Sequence, residues 1–85
     1  MNKHIEITRH LTVDGTSTYY VVEKSKNSSS IIWNGTCKQA AYQVAYRNAR
    51  KENTPLYDTL YKAEVDRNGV KHIIPVGNEL LEATN

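Results

Sequence analysis

Thr36-Cys37-Lys38-Gln39-Ala40-Ala41-Tyr42-Gln43-Val44-Ala45-Tyr46-Arg47-Asn48-Ala49-Arg50-Lys51-Glu52 is the one stretch of the chain that reads as a helix. Alanine and long unbranched side chains dominate it, and these lose little freedom in a helix. Thr36 fits an N-cap, its hydroxyl accepting a bond from an unpaired first-turn amide. Arg47, Arg50 and Lys51 fall near the end, where cations complement the helix dipole. Thr54-Pro55 stops the helix, because the residue before a proline is driven out of the α region. At about 100° per residue, Cys37, Ala40, Ala41 and Val44 form a tight stripe suited to packing on a sheet. Ala45, Ala49, Tyr42 and Tyr46 carry the apolar arc further round than one sheet contact needs. The wheel sets Tyr46 nearly opposite the core, beside Gln39, Gln43 and Arg50.

On either side of this helix the chain reads as strands and turns. Residues 3–13 alternate, with Ile5, Ile7, Leu11 and Val13 on one face and His4, Glu6, Thr8, His10 and Thr12 on the other. Arg9 interrupts the apolar face. Asp14-Gly15 reads as a two-residue hairpin turn, and residues 16–24 return as a second strand. In that register Ile7 faces Val22 and Leu11 faces Thr18. Tyr20 and Val22 then join the core face, while Tyr19 and Val21 turn outward. A shift of one residue exchanges the two sets. Ser30-Ile31-Ile32-Trp33 is a short third strand closed by Asn34-Gly35.

After the helix, residues 56–66 and 70–76 form two more strands around Asn68-Gly69, setting Val65 opposite His72 and Ala63 opposite Ile74. Pro75 cannot donate to a ladder, so it belongs at a sheet edge or a strand end. Gly77-Asn78 closes this strand. Glu79-Leu80-Leu81-Glu82 reads as one helical turn, and residues 79–85 as that turn or a loosely ordered tail. The whole is a single domain, residues 1–85, of the α+β class. Its expected form is a two-layer β-β-β-α-β-β fold, an antiparallel sheet of about five strands with one central helix packed on it.

Composition narrows the class of function. A chain of 85 residues makes one domain with a thin core. With 39% apolar and 24% charged residues it belongs with folded domains and not disordered tails. Residues 1–54 hold eight Lys/Arg against four Asp/Glu, and residues 55–85 hold three against five. That asymmetry is far from the basic balance of a dedicated nucleic-acid binder. One Cys excludes an internal disulfide and a Cys-based zinc site. The N-terminus lacks an apolar signal region, and no apolar run approaches transmembrane length. A cytoplasmic protein without membrane contact is expected.

Motifs for phosphate cradles, zinc hydrolysis or serine nucleophiles are absent. Cys37 has no flanking nucleophile signature, and its place on the apolar stripe makes it a small core residue. His4 and His10 are roughly 20 Å apart along a strand, too far to share a metal. No catalytic, cofactor or metal site is therefore expected, and the chain reads as non-enzymatic. Its unusual surface is the far side of the helix, where Tyr42, Tyr46 and Arg50 stand with Gln39 and Gln43. Tyr and Arg are enriched where interfaces concentrate their energy. The leading expectation is a protein-binding accessory or inhibitor factor, candidate homodimer, using this helix face or the Pro75 edge. Its size and style suit a phage or mobile-element product.

The alternative is nucleic-acid binding. Arg9, Lys24, Lys26, Arg47, Arg50 and Lys51 would contact phosphates, and Tyr19, Tyr20, Trp33, Tyr42 and Tyr46 could stack on bases. Over residues 5–52 the β-β-β-α order, with Trp33 ending the third strand and an Ala-rich helix following, resembles in layout the arm-binding domains of phage integrases. That resemblance implies DNA read by the sheet. The outer sheet face here offers Glu6, Glu23, Thr and His in place of a dense Arg/Lys array.

Overall fold

Two aspartates set the register of the sheet. Asp14 Oδ1 accepts bonds from the amide and hydroxyl of Thr16 and from the hydroxyl of Thr12. Asp66 Oδ1 accepts from the amides of Asn68 and Val70. In each turn a glycine follows in the left-handed region, Gly15 at φ 91° and Gly69 at φ 78°. In each, too, the amide of the residue opening the turn donates to a carbonyl four residues on, Thr12 to Thr16 and Asp66 to Val70. These are three-residue hairpins that end in a glycine bulge, not the two-residue turns that Asp-Gly and Asn-Gly suggest.

The computed structural model describes residues 3–83. It contains β1 (His4–Leu11), β2 (Ser17–Lys24), β3 (Ser29–Gly35), α1 (Lys38–Glu52), β4 (Leu56–Val65) and β5 (Lys71–Glu82). The extra turn residue moves both hairpins by one position. Ile7 pairs with Val21 and Arg9 with Tyr19, so Tyr19 and Val21 join the core and Tyr20 and Val22 take the opposite face. Val65 pairs with Lys71 and Ala63 with Ile73. Val13, expected on the core face, belongs to the turn and is 62% exposed.

The sheet is mixed, in the order β3-β2-β1-β4-β5. Two antiparallel steps leave β3 parallel to β1, and α1 carries the chain back to the starting end so that it re-enters the sheet in that same direction. β4 therefore lies parallel to β1, with Ile5 beside Leu56 and Thr8 beside Thr59. This corrects the antiparallel expectation. A helical crossover is the ordinary route to a parallel neighbour. β1 is the central strand, which explains four consecutive buried residues, Ile5 to Thr8.

α1 lies over β1 and β2 and touches β3 and β4. Ala41, Ala45 and Ala49 are its buried stripe, packed on Ile5, Ile7, Tyr19, Val21 and Leu56. Compared with the expected stripe, the buried face is turned by about a quarter of the wheel. Cys37 is exposed, not buried, and it supplies the N-cap without a side-chain bond, so Thr36 is not the cap. Tyr46, expected opposite the core, flanks it and packs against it, as do Tyr42, Val44 and Trp33. The turn is explained by Tyr42, whose hydroxyl is anchored on β4. Asn53 ends α1 at φ 52° and donates to Ala49 and Arg50 carbonyls. Asn tolerates this conformation where a Cβ-bearing apolar residue is strained. Asn53→Ala should cost about 1 kcal/mol in urea unfolding, with an unchanged denaturant slope.

β5 runs five residues beyond Gly77, so Glu79 to Glu82 are strand and not a helical turn or tail. Its register shifts twice, at the steps opposite Leu60/Tyr61 and Leu56/Tyr57. The first shift leaves Val76 without an opposite residue, next to Pro75. β1 stops pairing with β4 at Lys62, so Ala63 to Ile73 form a two-stranded ribbon projecting from the body. Among the described residues, no helix is long and apolar enough to cross a membrane.

Candidate functional site

The expected site residues meet along one flank of α1. Gln39, Tyr42, Gln43, Tyr46 and Arg50 recur at the three- and four-residue spacings that place side chains on one side of a helix. With Lys38 and Arg47 they line an open groove of about 930 Å³. The three charged residues in this lining are all cations.

Each tyrosine in the groove is fixed by a neighbour. The Tyr42 hydroxyl donates to Asp58 Oδ2 at 2.6 Å. Burial first, and then this bond, push its pKa far up, so the phenol keeps its proton. Lys38 Nζ stands 5.8 Å from the Tyr42 ring centre. Arg50 lies over the Tyr46 ring at 5.2 Å and donates from Nε and Nη2 to the two Glu82 carboxylate oxygens, each at 3.2 Å. The Arg50 side chain is 67% exposed, so the pair adds little stability, but it aims the guanidinium and ties the end of β5 to α1. Beneath Tyr42, Asp58 Oδ1 and Arg9 Nε are buried without a hydrogen-bond partner among the described residues. A water or a partner's polar group would be stabilised by meeting them.

The cations proposed for nucleic acid are not gathered on one surface. Arg9 lies on the α1 side of the sheet, paired with Tyr19 and Leu60. Lys24 lies on the other face, bonded to Glu6 at 2.8 Å. Lys26 is in the β2–β3 loop, while Arg47, Arg50 and Lys51 are exposed on α1.

The outer sheet face holds what the sequence reading missed. Glu6 is only 5% exposed. Thr8 Oγ1 donates to its Oε2 at 2.8 Å and Thr59 Oγ1 to its Oε1 at 3.1 Å. Burial alone would raise the Glu6 pKa, but the bonds from Lys24, Thr8 and Thr59 outweigh it and hold the carboxyl below its ordinary value. Around this centre stand His10, edge-on to Tyr20 and stacked on Tyr61, and His4, edge-on to Tyr57. A carboxylate with three partners is satisfied, and this cluster reads as a polar core for the second face. The alternation of β1 places Glu6 on the face away from the apolar side, as found, but does not show that flanking side chains bury it.

No protein family, curated protein or solved structure matches this chain.

Proposed function

We propose that this chain is a non-enzymatic protein-binding module, an accessory or inhibitor factor acting in the cytoplasm, that docks an acidic, apolar-faced segment of a partner on the α1 flank. The observation that carries this reading is the groove itself. Two tyrosine rings, held by Asp58 and Arg50, present apolar area in a lining whose charged members are Lys38, Arg47 and Arg50. Aromatic anchors with arginine make the energetic centre of many interfaces, and surrounding cations favour an acidic partner. Because the rings are already immobilised, less side-chain entropy is lost on docking.

Nucleic acid is the alternative occupant. It is favoured less, because Arg9 and Lys24 lie on opposite faces of the sheet and Lys24 is bonded to Glu6. The two readings separate in one set of titrations. Labelled acidic peptides with Leu or Phe at helical spacing are expected to bind at least tenfold more tightly than basic counterparts. Arg47→Glu, on the open side of α1, is expected to abolish binding while leaving the circular dichroism unchanged, and Tyr46→Ser is expected to abolish it with some loss of stability, because that ring also packs against the core. Equal affinity for acidic and basic peptides would sink the assignment. Binding of DNA or RNA probes at low salt that Arg47→Glu removes would transfer the groove to nucleic acid.

A further inference from the structure

Among the described residues, β5 presents an unpaired edge for twelve residues, Lys71 to Glu82. Such an edge offers a row of free amides and carbonyls to any strand that can align with it. Its side chains are unusually apolar for a surface: Ile73 is 51%, Val76 52% and Leu80 51% exposed. Val65 and Val70 at the hairpin tip are exposed to a similar degree. The ribbon of residues 63–73 has two strands only, and a two-stranded ribbon is marginal in water. A third strand is what this geometry lacks.

The sequence of β5 also says which strand fits. It begins with Lys71 and His72 and ends with Glu79 and Glu82; His72 meets Asp66 and Glu82 meets Arg50 within the chain, which leaves Lys71 and Glu79 as the charges open to a partner. Antiparallel pairing of β5 with a copy of itself brings each basic end against an acidic end. Parallel pairing would set like charges side by side, which is destabilising. We infer that β5 is the interface for a second copy of this chain, the two edges pairing antiparallel about a twofold axis at the Pro75–Val76–Gly77 bulge. The interface meets the α1 groove only at Glu82, which holds Arg50, and the pairing does not depend on what the groove binds.

Pro75 defines the shape of the contact. His72 and Ile74 lie opposite Glu64 and Lys62, in step with the bonded Asp66–Val70 pair that closes the hairpin. Residues 71, 73 and 75 therefore turn their backbone groups to the open edge. Pro75 has no amide to offer there, so the two edges meet as two short ladders flanking the bulge and not as one continuous ladder. Residues 71–74, before the bulge of one copy, then lie against the stretch after the bulge of the other. The competing role for Pro75 and the bulge is edge protection, which keeps a monomer monomeric.

Sedimentation velocity on the full chain across a concentration series decides between them. The expected result is a reversible dimer by the high micromolar range. Ile73→Lys, at an exposed position, should weaken it at least tenfold with unchanged circular dichroism, whereas Arg47→Glu, exposed on α1, should leave it intact. In a Cys37→Ser background, Val76→Cys lies near the axis and should capture its mate as a disulfide in a glutathione buffer. Lys71→Cys should not, because the two copies of residue 71 would be about 30 Å apart. A monomer at every concentration overturns the inference, as does a dimer indifferent to Ile73→Lys. Cross-linking of Lys71→Cys as readily as Val76→Cys overturns it too, since that pattern belongs to parallel or random contact.

Discussion

Ile7→Ala is expected to remove about 3–4 kcal/mol of folding free energy. Ile7 is fully buried on the central strand, between Val21 of β2 and Asp58 of β4. Above it the helix offers Ala41, Ala45 and Ala49. Alanines have no side-chain reach with which to fill a hole, and the helix backbone they carry is already close to the sheet. The lost methyl and methylene groups therefore leave a cavity that collapses poorly, and the cost lies toward the high end of the range for such truncations. A domain of this length has about 4–13 kcal/mol in total, so the variant should sit near its unfolding threshold. Urea denaturation would show a lower midpoint with an unchanged slope. Val13→Ala is the control. Val13 lies in the turn and is 62% exposed, so its truncation should change stability by less than about 0.5 kcal/mol. Equal losses at the two positions would contradict a core centred on Ile7 beneath α1.

These two residues also show where the sequence is legible and where it is not. Both fall on the apolar face of one alternating pattern. The pattern identifies the strand and the facing of Ile5 and Ile7, because side-chain direction in a strand is local geometry. It does not locate the end of the strand, which depends on the turn. Asp14-Gly15 and Asn68-Gly69 mark turns correctly, yet in both an aspartate carboxylate collects amide or hydroxyl donors from across the turn and adds one residue to the loop. One residue is enough to exchange Tyr19 and Val21 with Tyr20 and Val22. The parallel β1–β4 pairing is legible only through the helix between β3 and β4, since strand order is a long-range choice with no local signal. In the candidate groove, the spacing of Tyr42, Tyr46 and Arg50 is visible in the sequence. Their anchors are not, because Asp58 and Glu82 come from strands that the fold brings in from 16 and 32 residues away.

Glu6→Ala is expected to cost about 3 kcal/mol at neutral pH, although it removes a charged residue from the face of the sheet opposite the helix. The substitution leaves the Thr8 and Thr59 hydroxyls, both on buried residues, without their acceptor. It also leaves the Lys24 ammonium without its carboxylate, a smaller loss because that side chain is 36% exposed and can turn to water. Glu6→Gln keeps acceptor capacity for the threonines and should cost only about 1–2 kcal/mol. The sign of the pH dependence follows from the pKa shifts. The folded carboxyl lies below the ordinary 4.5, so its contribution is complete above that value and is lost as pH falls through the lowered folded pKa. Lys24 is held above its ordinary 10.5 by the same bond, so its share is complete below that value and is lost as pH rises through the raised folded pKa. The pair is thus intact from pH 4.5 to 10.5. Asp14 and Asp66 are also lowered by their hydrogen bonds and contribute to acid sensitivity. The difference between wild type and Glu6→Gln isolates Glu6 from them. Thermal unfolding of both proteins from neutral pH down through the carboxylate range should show the gap between them narrowing only below pH 4.5. A gap that stays constant across that range would mean the buried Glu6 carboxylate is not what holds the second face of the sheet together.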